Sequence, residues 1–386
     1  MDTKKNRKHA LIIVLAPIIY MLGVASIVYH VDPWQIYHAQ NSGEKTLYWN
    51  NQRYINAGRI RTDIHETSHF TTIWTGTSVT QDIYAPDVEK LIGLGPALQL
   101  TVVHGFSLEQ FTTLKYALES GIIKCVIWEM NPPYIGMKDP TEWWNPNYEF
   151  PSYLYSTSPF EKLKYLINST AFKQSLDMLR DKCEWPENNS SYYMHTACKK
   201  NSFTRFLDIA LKKQIDNFTL SVTDVKQKGL KTPSIRLIRS LVTEYPKTTF
   251  YLYIPPLPTY RYAQNKEEAE YFVAFAEELT RLAATQTNTT LFAFDDIPAI
   301  ADNLANYRDT IHYGTGVDRF ILKSMKEKKH VLTLNNLPAF LNHFTHNVST
   351  YQPTADTGKT ISFEGPLNET LFSVYPPPYG PSPVSP

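Results

Sequence analysis

The sequence is poor in cysteine, with three in 386 residues, and it shows no charge excess beyond +1. Cys125, Cys183 and Cys198 cannot staple a disulfide-dense scaffold and include no CxxC zinc ligands. In an oxidising compartment Cys183 and Cys198 are spaced to close a short loop, whereas Cys125 sits in an apolar run and reads as a buried strand residue. The balanced charge gives no basis for nucleic acid as a partner. With 42% hydrophobic residues the chain is too apolar for wholesale disorder. It also lacks an internal repeat and a second long apolar run, which excludes a polytopic membrane protein. Its length allows one large domain or two medium ones.

The one long apolar run covers residues 10–29, without a charge, behind Lys4, Lys5, Arg7 and Lys8. Twenty helical residues at about 1.5 Å each cross the roughly 30 Å hydrocarbon layer. The basic cluster assigns residues 1–9 to the cytoplasmic side and everything after residue 30 to the periplasm or cell exterior. A cleaved signal peptide ending near Ala25-Ser26 is the rival reading. The length of the run and the lack of an A-x-A site favour a single-pass anchor.

Residues 30–69 read as a polar connector. Short runs rich in β-branched and aromatic residues then suit buried strands at 70–74, 98–103, 122–130, 248–254 and 290–294. Helical spacing separates them at 86–92, 107–119, 234–244 and 266–284. Ser107 is placed to cap the second of these, with Gln110 three residues on, and Gly121 to stop it. Such alternation predicts an α/β fold, a parallel sheet with helices on both faces.

Residues 134–230 interrupt the pattern with Trp143-Trp144-Asn145-Pro146 and amphipathic stretches. They read as a helical insertion, either a lid or substrate wall at the ligand edge of the sheet or an ordinary elaboration. Beyond residue 331 the sequence is less regular, and residues 376–386 hold six prolines, which predicts an extended end. Sequons at Asn168, Asn188, Asn189, Asn217, Asn288, Asn347 and Asn368 matter only in a glycosylating host.

Two segments carry chemistry. Gly76-Thr77-Ser78 follows the first strand, so a hydroxyl stands on a tight turn at the mouth of the sheet, where nucleophiles and phosphate loops sit. Late in the chain comes Asp309-Thr310-Ile311-His312, in which a carboxylate can orient an imidazole whose other nitrogen takes a serine proton. A competing motif is His65-Glu66-Thr67-Ser68-His69, which satisfies the HExxH pattern of zinc metallopeptidases. The strand run starting at Phe70 and the β-branched Thr71, Thr72 and Ile73 oppose the continuous helix that this pattern needs.

The order of GxS after the first strand, glycine after the second, asparagine after the third and a late DxxH resembles the SGNH/GDSL hydrolase superfamily. With the N-terminal anchor and the GTS form it is similar to membrane-tethered DltD- or AlgX-like members, over roughly residues 70–330. The resemblance implies a three-layer αβα, flavodoxin-like fold. It implies Ser78 as nucleophile, His312 as base, Asp309 as its acid, and an oxyanion hole of the Ser78 amide, Gly105 and Asn131. It also implies an esterase or O-acyltransferase needing no cofactor. The expected partners are a cell-surface polysaccharide or similar acylated polymer and a multispanning membrane acyltransferase. A metallopeptidase using His65, Glu66 and His69, and a non-catalytic binding or assembly protein of the same fold, are the alternatives. Two departures from the family pattern stand out: Thr77 replaces the usual Asp, and the Asn131 block lacks its flanking Gly and Asp.

Overall fold

A computed structural model describes residues 3–38, 52–83, 87–136, 149–180, 209–216, 218–230 and 232–355. The chain divides into two compact units, one of Met1–Ser68 with Phe150–Glu187, the other of His69–Glu149 with Asn188–Pro386. The Cys183–Cys198 loop, Trp143-Trp144 and the proline-rich end lie outside the described residues.

The first unit is helical. The helix Thr3–Val31 exposes Leu11 to Leu22, and its stretch Leu11–Val31 is long and apolar enough to cross a membrane, as an anchor or a signal sequence would be. It stops at Asp32, whose φ is 45°. The Asp32 carboxylate accepts the N–H groups of Ile36, Tyr37 and His38 at 2.9, 2.7 and 2.7 Å, and the Tyr165 hydroxyl at 2.8 Å. Burial, reinforced by the Asp32 charge, pushes the Tyr165 phenol far up, so it remains a donor. The fully buried Trp34 lies between the rings of Tyr54 and Tyr165, at 4.0 and 5.0 Å, and donates Nε1–H to Gln174 at 2.6 Å.

Two readings of the sequence change here. The connector contains the helix Gln52–Arg59, which widens into a π-type turn over Ile60–Glu66. The described part of the 134–230 insertion supplies helices Pro159–Leu166 and Ser169–Leu179 to this unit, where both pack on Thr3–Val31. Asn168 caps the second, its Oδ1 accepting from the N–H groups of Thr170 and Ala171.

The second unit is built on five parallel strands: β1 Thr72–Thr75, β2 Ala97–Gln99, β3 Cys125–Glu129, β4 Thr249–Ile254 and β5 Thr289–Ala293. Their order is β2-β1-β3-β4-β5, the flavodoxin-like doubly wound arrangement. Every residue of β1 and β3 is buried, as expected for strands covered on both faces. Helices Ser107–Leu118, Ile235–Glu244, Lys266–Ala284 and Thr315–Glu327 accompany the strands. The helix expected at 86–92 is a single turn, Val88–Ile92.

Local chemistry sets the boundaries. The helix after β2 starts one residue earlier than its sequence suggests, with Phe106 and not Ser107 at the cap position. Glu109, not Gln110, closes the first turn by accepting the Phe106 N–H at 2.9 Å. Gln110 instead donates to the Gly105 carbonyl and accepts the Trp128 indole N–H, both at 2.8 Å. Gly121, at φ +73°, ends the helix as its position implies. Residues 337–350, expected to be irregular, form the helix Leu337–Thr350. Its Phe344 stacks on Phe272 at 4.1 Å. Cys125 is buried in β3 and burial pushes its thiol up to about 12, which leaves it inert.

Asn288, in the sequon before β5, donates Nδ2 to the carbonyls of Val242, Tyr245 and Thr248 at 3.0, 3.1 and 3.1 Å. That nitrogen is therefore committed to tying two segments together. Asn288→Ala should lower unfolding stability by about 2 kcal/mol, measured by denaturant titration, because carbonyls at this junction lose their donor.

Candidate active site

The site lies at the carboxyl edge of the sheet, where doubly wound folds place their chemistry. After β1 the chain turns through Gly76 and Thr77 into a short 3₁₀ turn, Ser78–Asp82. Thr80 holds this turn, donating its hydroxyl to the Thr77 carbonyl at 2.9 Å and meeting the Thr101 hydroxyl at 2.6 Å. The Val102 N–H to Gly76 carbonyl bond, 2.9 Å, continues the β1–β2 pairing past the end of β2.

A second loop, after β5, approaches from the other side. Tyr307 and Tyr313 form an antiparallel bridge, the Arg308 N–H reaches the His312 carbonyl at 3.0 Å, and the Tyr307 hydroxyl donates to the Pro256 carbonyl at 2.9 Å. Inside this closed loop the Asp309 carboxylate accepts the N–H groups of Ile311 and His312, both at 2.8 Å. His312 Nδ1 lies 2.8 Å from Asp309 Oδ2, and His312 Nε2 lies 2.8 Å from Ser78 Oγ. With Nδ1–H donated to the carboxylate, the Nε2 lone pair faces the serine hydroxyl.

Burial alone would raise the Asp309 carboxyl, but its hydrogen bonds to His312, the imidazole charge and the two backbone N–H groups hold it down at about 2. A depressed carboxyl contributes stability above its unfolded value near 3.9, and the contribution fades as pH falls toward 2. Asp309 thus stays ionised at every pH above about 4. Asp309→Asn should accordingly lower the plateau of a pH–rate profile by roughly 10²-fold or more, as measured by kcat/KM from pH 5 to 9.

The other expected donors already have partners. The Gly105 N–H is bound to the Val102 carbonyl at 2.7 Å. Asn131 is fully buried and gives its amide to Glu129 Oε1 at 2.9 Å and to the Thr77 hydroxyl at 3.3 Å. The structure therefore brings Ser78, His312 and Asp309 together, while Gly105 and Asn131 are turned to intramolecular acceptors.

Glu129 went unnoticed in the sequence. It is fully buried at the end of β3 and accepts the Thr77 N–H at 2.5 Å and the Thr77 hydroxyl at 3.0 Å. Burial pushes its carboxyl up to about 7 against the lowering effect of those donors. The available signal was an acid inside the apolar run at 122–130.

The HExxH segment does not form one helix. The turn carrying His65 and Glu66 ends at Glu66, and Ser68, at φ 53°, breaks the backbone before His69. The i, i+4 geometry that places two imidazoles on one metal is lost, and no group of three metal-binding side chains converges among the described residues. Asp295, after β5, is fully buried and accepts the Leu257 N–H at 3.3 Å.

Fold and site together define an α/β domain with a flavodoxin-like parallel sheet and a hydroxyl–imidazole–carboxylate relay at its carboxyl edge. No family model matches the chain and no curated protein matches it. A solved structure described as "a putative platelet activating factor from Streptococcus pneumonia" is similar to it at 12% identity and a TM-score of 0.37. The match covers 72% of this chain and 92% of that one.

Proposed function

We propose that the chain is a serine esterase or O-acyltransferase working through an acyl-Ser78 intermediate. The supporting observation is the continuous relay Ser78–His312–Asp309, with 2.8 Å at each link. In the first half-reaction Ser78 Oγ attacks an ester carbonyl carbon as His312 Nε2 takes its proton. The tetrahedral intermediate collapses, and His312 returns that proton to the departing alcohol. In the second half-reaction water or a carbohydrate hydroxyl attacks the acyl-serine, again giving its proton to His312. The free acid or the acylated hydroxyl leaves and Ser78 Oγ is reprotonated.

Charge on the oxyanion would fall to the Ser78 N–H, which starts the 3₁₀ turn without an intraturn acceptor, and to the Asn131 amide. The 3.3 Å bond from Asn131 to Thr77 is the weaker of its two and is the one exchanged when substrate binds. Residues 10–29 are proposed to act as an uncleaved anchor that carries this activity outside the cytoplasm. There the acceptor is a cell-surface polysaccharide or similar polymer, and the acyl donor is handed over by a multispanning membrane acyltransferase. The engagement of Gly105 and Asn131 favours a second reading, a binding protein of the same fold.

The test is labelling of the detergent-solubilised full chain with a fluorophosphonate, followed by identification of the modified residue. Modification at Ser78, lost in His312→Ala, supports the acyl-enzyme reading. A chain that folds but takes no label favours the binding protein.

A further inference from the structure

We propose that Glu129 is the positioning residue of the Ser78 turn, a β3 carboxyl that clamps Thr77 and Asn131 from behind and so fixes both the serine and its oxyanion donor. The inference rests on Ser78 being the nucleophile. Its basis is the convergence of three donors on one side chain: the Thr77 N–H at 2.5 Å, the Thr77 hydroxyl at 3.0 Å and the Asn131 amide at 2.9 Å. The Thr77 N–H belongs to the Gly76–Thr77 peptide, one residue ahead of Ser78, so this clamp fixes the backbone from which the serine leaves β1.

The backbone is fitted to the acid. A Cβ on Gly76 would lie 2.2 Å from Glu129 Oε2 and 2.5 Å from Glu129 Cβ, so position 76 has room for a hydrogen alone. The residue type follows from the donors. A carboxylate accepts from all three, whereas an amide of the same shape would turn an NH₂ toward one of them. Thr77 stands where the resemblance expects an Asp. The acid missing from the turn is thus supplied by the neighbouring strand.

Glu129 is fully buried behind Thr77 and none of its hydrogen bonds reaches Ser78 or His312. It therefore acts through geometry and not as a proton carrier. Around it stand Thr77, Asn131, Tyr253 of β4 and Tyr313 of the histidine loop, with Asp318 of Thr315–Glu327 near the two tyrosines and no cation among these groups. Burial without a counter-charge holds the carboxyl near neutrality at about 7, in agreement with a clamp that tightens when ionised.

The experiment compares fluorophosphonate labelling rates of the full-length chain from pH 5 to 9, alongside thermal unfolding. Glu129→Gln should slow labelling of Ser78 roughly 10- to 100-fold at pH 8 and flatten the rise between pH 6 and 8. An acid raised in the fold favours it below pH 4.5 and loses that contribution as pH climbs through 7. The wild type should therefore lose unfolding temperature across that window relative to Glu129→Gln. Combining Thr77→Asp with Glu129→Gln returns a carboxyl to the same network and should restore at least tenfold of the rate. If Glu129→Gln does not fold, Thr77→Val, which removes only the hydroxyl contacts, must show the slowed rate and altered pH profile. A Glu129→Gln chain labelled within twofold of wild type with an unchanged profile overturns the proposal, as does a double variant no faster than the single one. A wild type that takes no label overturns both this proposal and the acyl-enzyme reading.

Discussion

Ser78→Ala is expected to lower kcat/KM for a small activated ester by at least about 10³-fold, and His312→Ala by a similar factor. Ser78 Oγ and His312 Nε2 share one 2.8 Å contact, and neither has a second nucleophile or base within the relay. Such groups act as a unit, so the double variant should be scarcely slower than either single one, whereas independent contributions would multiply. Asp309→Asn should cost less, because it leaves the loop bridge Tyr307–Tyr313 in place while offering His312 the wrong partner. Steady-state kinetics with a chromogenic ester measures all four variants. Activity that survives Ser78→Ala within tenfold would remove Ser78 from the chemistry.

Gly58→Ala is expected to destabilise the first unit by about 3 kcal/mol or more, measured by denaturant unfolding. Two effects oppose each other here. Gly58 lies within the helix Gln52–Arg59, where alanine is intrinsically preferred by roughly 0.5–1 kcal/mol. A Cβ at that position, however, would lie 1.9 Å from the Trp34 carbonyl and 2.7 Å from that of Gln35. Both are backbone atoms in the segment fixed by Asp32, so no side chain can swing aside. Displacing Trp34 would also break its stacking on Tyr54 and its bond to Gln174. Sterics should win by a wide margin. A neutral or stabilising outcome would mean that the Trp34 segment does not rest on this helix.

The legible parts of the molecule were those written in local runs or short motifs. β3 and β4 were visible because strands buried on both faces are continuous apolar stretches. Ser78 and the Asp309–His312 pair stood out because a tight turn or a three-residue offset brings their groups to an edge without tertiary information. What escaped depends on distance along the chain. Tyr165 reaches Asp32 across 133 residues, and no periodicity in either segment announces that the Phe150–Glu187 part of the insertion joins the N-terminal unit. The helix Leu337–Thr350 hid because Asn, His and Thr interrupt its apolar positions, and its stability comes from Phe340 and Phe344 against Phe272. Glu129 hid because an acid within an apolar run has no motif, only a meaning once Thr77 and Gly76 lie beside it.

The serine and histidine of the relay are 234 residues apart, one following the first strand and the other following the last. A ribosome releasing this chain therefore makes the serine long before its base exists. The relay closes only when nearly the whole second unit has emerged and β5 has docked. A copy that ends before the loop after β5 therefore lacks the imidazole partner of Ser78. The Ser78–His312 contact thus forms only in a chain whose first and last strands share one sheet.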